Sequence, residues 1–241
     1  MTVNNEVGTI QPLATVAELV SDAAPNAVLH TDAVQGLTFL DLEVAARFNL
    51  LSLSAHKFGG PKGVGALVVR AGTPLFAQIV GGGQERERRS GTPNLPGAVA
   101  MSVAAAEAHD QRGVTVARLA VLRDRFERAV IALGGVTSTV ACSDERRAEG
   151  FSHLCFDGLE SEALLFLLDR ADVYASAASS CASGAQTASH VLAAMGVRPS
   201  LARSAIRFTF GWNSTEADVE HAVTAISAAV QQLRNGEGGA R

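Results

Sequence analysis

Short apolar runs of strand length alternate with helical stretches over the first hundred residues, and few folds accept that order. Pro12-Leu-Ala-Thr-Val-Ala-Glu-Leu-Val20 has helical periodicity, with proline where a first turn tolerates it. Ala27-Val-Leu-His-Thr-Asp32 is mostly apolar, as a strand buried on both faces would be, and Leu50-Leu-Ser-Leu-Ser54 and Gly65-Ala-Leu-Val-Val-Arg70 are further strands. Strands separated by helices predict an α/β domain with a mainly parallel sheet. Ligands of such sheets gather beyond the carboxyl ends of the strands. Asp32 and Ser54-Ala-His-Lys57 both end strands, so the pattern points them at one crevice.

Beyond these strands comes a loop rich in glycine and charge, Gly81-Gly-Gly-Gln-Glu-Arg-Glu-Arg-Arg-Ser-Gly-Thr92. An Ala-rich helix is expected over Leu95 to His109. A second, over Val116 to Leu133, carries Arg118, Arg123, Arg125 and Arg128 on its polar side. The domain boundary falls near Arg112-Gly113, giving domains over 1–112 and 113–241. The second domain reads as α+β: strands at Ser152–Phe156 and Ile206–Phe210, and helices over Ser161–Arg170, His190–Met195 and Thr215–Leu233. A loop of small residues surrounds Cys181.

Composition narrows the function classes. A chain of 241 residues with 47% hydrophobic and 18% charged residues has enough apolar material for a sizeable core. A net charge of -4 supplies no basic field for nucleic acid or an anionic membrane. Three cysteines without a C-x-x-C pair fit neither a disulfide framework nor a four-thiolate zinc site, so no metal is expected. No apolar run reaches the roughly 20 residues of a membrane helix, and Met-Thr-Val-Asn-Asn-Glu is unlike a signal peptide. The expected compartment is the reducing cytoplasm.

Of the 20 Lys and Arg residues, only Lys57 and Lys62 are lysines, and both lie in Ser54-Ala-His-Lys-Phe-Gly-Gly-Pro-Lys-Gly63. Where arginine fills nearly every cationic position, a retained lysine suggests a need for an amine that can lose its proton. Glycines after a strand-end lysine let backbone approach a ligand closely. The stretch does not match the G-x-x-x-x-G-K-[ST] phosphate loop. Asp32 is either a turn former or a carboxylate for a protonated pyridine nitrogen, and Gln35 reaches the same ligand or is solvated. Cys155, between Leu154 and Phe156, reads as a buried apolar side chain. Cys142 reads as incidental, whereas Cys181, in Ser176-Ala-Ala-Ser-Ser-Cys-Ala-Ser-Gly184, reads as a reactive loop thiol. Arg207, inside an apolar strand, is either a carboxylate clamp or half of a structural ion pair. Arg86 to Arg89 form a solvated or interfacial charge cluster, and Ser90-Gly-Thr92 offers donors to a phosphate.

Taken together, the chain resembles the cysteine desulfurases of the NifS/IscS type, which use pyridoxal 5'-phosphate. The resemblance rests on Val3-Asn-Asn-Glu-Val-Gly8, His30-Thr-Asp-Ala-Val-Gln35, Ser54 to Gly63, Gly81-Gly-Gly-Gln-Glu-Arg86, Arg89-Ser-Gly-Thr92, Ser179-Ser-Cys-Ala-Ser-Gly184, Ser189-His-Val-Leu-Ala-Ala-Met-Gly196 and Ile206-Arg-Phe208. It implies a fold-type I transferase, with part of an α/β large domain over 1–112 and a small domain over 113–241 that carries the cysteine loop. It implies Lys57, His56 and Cys181 as catalytic residues. Lys57 would hold the cofactor as a Schiff base, Asp32 pair with the pyridine nitrogen and Gln35 with the ring oxygen. Ser54 and His56 would bind the phosphate, and Thr92 the phosphate of a neighbouring subunit in a homodimer. Asn5, also placed near the cofactor, would hold the substrate carboxylate with Arg207, and Cys181 would take the sulfur of L-cysteine.

The implied sulfur acceptors are an iron–sulfur scaffold protein or a tRNA-thiolating enzyme. A selenocysteine lyase or another fold-type I enzyme is the alternative, as is an inactive remnant. Asn5 already falls within the family's large domain, so the resemblance covers the later part of a family member. The first strands, the phosphate-cradling turn and the histidine that stacks on the ring are expected to lie outside the sequence.

Overall fold

Residues 1–140, 146–177 and 189–236 are described by a computed structural model. They divide into two units, Met1–Val3 with Gln11–Gly113 and Asn4–Ile10 with Val114–Arg241. Asn4–Ile10, which a contiguous division would leave in the first domain, thus pack with the second unit.

In the first unit, Pro12 leads into helix α1 (Leu13–Ala23), whose Leu13 and Ala17 are buried against Ala45 and Phe48. Strand β1 (His30–Asp32) runs parallel to β2 (Leu50–Ser54), and β3 (Gly65–Val69) joins β2 antiparallel, in the order β1-β2-β3. The link from β2 to β3 is shorter than the dozen or so residues a parallel crossover needs, so the chain doubles back. β1 is shorter than its apolar run because Asn49 occupies the ladder position: its Oδ1 accepts from Leu29 N at 2.8 Å. The Ala-rich helix α2 (Leu95–Asp110) is capped by Asn94 and buries Met101 against Ala55 and Phe58.

The second unit contains most of α3 (Arg112–Ile131), then β4 (Val136–Ser138), β5 (Phe151–Phe156), α4 (Ser161–Asp169) and β6 (Ser176–Ala177). The short helices α5 (His190–Ala194) and α6 (Pro199–Ala202), strand β7 (Ala205–Thr209) and helix α7 (Glu216–Arg234) follow. Thr215 and Asp218 close a reciprocal capping box at the start of α7. The sheet is antiparallel throughout, in the order β4-β5-β7-β6.

Every residue of β5 is buried, so both sheet faces are covered. On one face, Phe208 meets Phe126 of α3 at 4.9 Å between ring centroids and Phe156 at 6.5 Å. On the other, Cys155 and Ala205 pack with Val7, Val140 and Leu192. Cys155 is fully buried, as its strand context predicts. Arg123 departs from the sequence reading: it is buried and pairs with Asp124 at 2.8 Å instead of facing solvent.

Asn4–Ile10 lie on the Cys155 face. Thr9 bridges Arg147, Ala148 N donates to Gly8 O, and Ile10 N donates to Arg146 O. Gly8 adopts a φ of +78°, and a Cβ there would stand 2.4 Å from Phe151 Cβ, so only glycine fits. Arg147 is itself held by a bidentate pair with Glu127 of α3, at 2.8 and 3.1 Å, with both side chains out of water. Removing one partner of such a pair strands a buried charge. Glu127→Gln is therefore expected to cost the second unit about 3–5 kcal/mol. Urea denaturation reads this directly, and a loss below about 1 kcal/mol would show that water reaches Arg147.

Candidate functional site

In the first unit, the chemistry-bearing residues gather at the carboxyl ends of β1 and β2. Asp32 is register partner of Ser52, so the two strand ends are adjacent. Asp32 is exposed, and its Oδ1 accepts from Val34 N at 2.9 Å, so it does form the following turn. Gln35, half-buried, lies in that turn. After Ser54 the chain makes a 3-10 turn, Ala55–Lys57. Residues three apart in such a turn eclipse one another. Ala55 and Phe58 accordingly point inward against Met101, while His56 and Lys57 face out.

Gly60 closes the turn with its N–H on Ala55 O at 2.9 Å, and a Cβ there would come within 2.8 Å of Ala55 Cβ. Ser54 Oγ and His56 Nδ1 are 2.9 Å apart, and Thr38 Oγ1 donates to Lys57 O at 3.4 Å. Among the described residues Lys57 Nζ has no ion-pair partner.

Thr92 is exposed at the end of the glycine-rich loop. Gln84 Oε1 accepts from Gly91 N at 3.0 Å and Ser90 N donates to Ile79 O at 2.9 Å, which shapes the loop. Glu85, Arg86 and Glu87 all have positive φ, between 52° and 62°. Three consecutive non-glycine residues in that region cost roughly 1–2 kcal/mol each.

In the second unit, Arg207 sits between His153 of β5 and Ser176 of β6, its register partners. Its Nη1 donates to Asn5 O at 2.7 Å. No carboxylate pairs with Arg207 among the described residues, so the ion-pair alternative finds no support. Asn4 Oδ1 accepts from Glu6 N and Val7 N at 2.9 and 3.0 Å, which turns the backbone at Asn5. Glu6 accepts from Ser189 Oγ at 2.5 Å, and Ser189 caps α5. Cys181 and Cys142 lie outside the described residues.

Sequence reasoning missed His153. Its only signal is a histidine in a strand whose other members are apolar or small. It is 1% exposed, and Thr139 Oγ1 lies 2.9 Å from Nδ1. Burial, reinforced by the Arg207 guanidinium, pushes its pKa down to about 4 from an ordinary 6.5. Between those values the unfolded chain binds a proton that the folded chain excludes. This contribution to stability is complete above about pH 6.5 and is lost as the pH falls toward 4. The loss amounts to about 3 kcal/mol. His153→Gln should remove this slope when urea denaturation is compared with the parent across the window; an identical slope in both proteins would contradict the assignment.

The family model for aminotransferase class V matches residues 1–222. An IscS-like cysteine desulfurase of Mycobacterium tuberculosis is 40% identical over 235 residues, covering 97% of this chain and 59% of that protein. A cysteine desulfurase of Gluconacetobacter diazotrophicus is likewise 40% identical, over 97% of this chain and 58% of the relative. The chain thus spans less than two thirds of the length of these relatives. Among solved structures, a NifS-like protein superposes with a TM-score of 0.87 at 33% identity, covering 96% of this chain and 60% of that one. SspA, solved in complex with cysteine, matches with a TM-score of 0.68 at 27% identity, over 89% of this chain and 58% of that one.

Proposed function

The chain belongs to the aminotransferase class V family, and from that premise we propose that it carries the chemistry of a cysteine desulfurase. In this reading L-cysteine is converted to L-alanine and its sulfur is held as a persulfide on Cys181. The observation that carries it is the placement of Lys57: an exposed amine with no ion pair among the described residues, on a turn anchored through Ala55 and Phe58, beside the strand that ends in Asp32. The relatives named cysteine desulfurase, and the one solved with cysteine, support the substrate.

The donor set at the strand ends suits pyridoxal 5'-phosphate. Asp32 offers a carboxylate to a protonated ring nitrogen, Gln35 an amide to the ring oxygen, and Ser54 and His56 a hydroxyl and an imidazole to the phosphate. Thr92 would serve the phosphate of the second copy in a homodimer. When bound, the cofactor supplies an electron sink for the substrate's Cα. Lys57 holds it, and its Nζ takes and returns a proton. Arg207 and Asn5 hold the substrate carboxylate, with the guanidinium as a charged, two-pronged donor.

Cys181 Sγ, as thiolate, attacks the substrate sulfur. An S–S bond forms, the C–S bond breaks, and the released electron pair takes up a proton at carbon to give alanine. Cys155 cannot substitute, because burial raises its pKa to about 11 and keeps the thiol protonated. The persulfide would pass to an acceptor such as an iron–sulfur scaffold or a tRNA-thiolating enzyme, in the cytoplasm. No helix among the described residues is long and apolar enough to cross a membrane.

Lys57→Ala is expected to abolish the visible absorbance of the bound cofactor, while Lys62→Arg retains it. Borohydride reduction followed by peptide mapping should place the adduct on Lys57. An adduct on Lys62, or an unchanged spectrum in Lys57→Ala, would overturn the reading.

A further inference from the structure

Glu6 is 8% exposed, and no cation pairs with it among the described residues. A carboxylate out of water is costly unless it is paired or hydrogen-bonded. The bond it makes is of the strong kind: Ser189 Oγ–H donates to Oε2 at 2.5 Å, the range of a hydroxyl on an ionised oxygen. Ser189 Oγ also accepts from Leu192 N at 3.2 Å. Its proton thus goes to Glu6 and a lone pair to the first turn of α5.

Glu6 belongs to a closed turn. Asn4 N donates to Thr9 O at 2.8 Å and Gly8 N to Asn4 O at 3.0 Å, while Asn4 Oδ1 takes the N–H groups of Glu6 and Val7. A turn tied at so many points shifts as one body. Asn5 O, which accepts from Arg207 Nη1 at 2.7 Å, rides on it. Val7 packs with Leu192 of α5 in one core cluster, so the turn and the helix also share apolar contacts.

We propose that Glu6 is a positioning residue for Arg207: its bond to Ser189 fixes the turn against α5, and Asn5 O passes that placement to the guanidinium. Glu6 does this without pairing with Arg207, so the charge of the arginine is left for a ligand carboxylate. The inference rests on Arg207 binding the substrate carboxylate, and the test separates the two claims.

Binding of L-alanine and of L-alaninamide, the same molecule with and without the carboxylate, is measured on the chain loaded with pyridoxal 5'-phosphate. The parent should prefer the acid, and Arg207→Gln should lose that preference. Glu6→Ala should lower it roughly tenfold, the effect of one hydrogen bond to a charged group. Glu6→Gln keeps an acceptor but a neutral one, of about half the strength, and should lower it roughly threefold. Ser189→Thr keeps both the hydroxyl and the cap and should stay within about twofold of the parent. Ser189→Ala should lower the preference in the parent background and leave it unchanged once Glu6 is alanine, because the bond is then already gone.

The sign is decisive. A carboxylate acting only through its charge repels the ligand acid, so its removal would raise the preference for L-alanine; such a rise in Glu6→Ala would overturn the proposal. Equal weakening of both ligands by the Glu6 and Ser189→Ala variants would mark the bond as merely structural and overturn it too. Should Glu6→Ala not fold, Glu6→Gln decides by the direction of its change. If the parent and Arg207→Gln bind acid and amide alike, Arg207 does not bind the carboxylate, and both claims fall. A preference lost in Arg207→Gln but kept in Glu6→Ala defeats only the role of Glu6.

Discussion

The bidentate contact between Arg147 and Glu127 is the interaction on which the placement of Asn4–Ile10 against the sheet of the second unit depends. Both side chains are out of water, so neither tolerates loss of the other. Arg147 and its neighbours pair with Thr9, Gly8 and Ile10, and so hold Asn4–Ile10 against the sheet. On that segment Asn5 O meets Arg207, and Glu6 meets Ser189 at the head of α5. The pair thereby helps set the position of the Arg207 guanidinium, which has no carboxylate partner among the described residues.

The first unit solves a different problem, which is to hold an amine and an imidazole outward at the end of a strand. Its device is the three-residue periodicity of the Ala55–Lys57 turn, which sends Ala55 and Phe58 into the α2 interface and leaves His56 and Lys57 outside. Glycine at position 60 lets the chain return across Ala55. The rigidity of the turn comes from apolar packing, while its chemistry stays in solvent reach.

Much of this was legible from local pattern. Leu50–Ser54 has the predicted bounds, α1 follows the helical periodicity of its sequence, and α2 and α7 end within one residue of their expected ranges. Where the reading failed, long-range pairing decided. Ala27–Leu29 are apolar enough for a strand, but the Leu29 N–H donates to the Asn49 side chain instead of to a strand carbonyl. β6 has two residues, too few to show a period. Asn4–Ile10 join the second unit through partners far along the chain, which no window of sequence displays. Arg123 and His153 are buried polar residues whose positions follow from neighbours on other elements. The candidate residues themselves were easier to find, because a lysine among arginines, or an arginine in an apolar strand, stands out by type alone.

In the proposed reaction, sulfur leaves L-cysteine for one particular thiol, that of Cys181. Its most direct measurement is peptide mapping by mass spectrometry after the chain, loaded with pyridoxal 5'-phosphate, has been given L-cysteine without a reductant. One added sulfur atom is expected on the peptide that contains Cys181, with alanine formed in equal amount and Cys155 and Cys142 unmodified. Alanine formation with no sulfur on Cys181, or sulfur carried on Cys142, would contradict it.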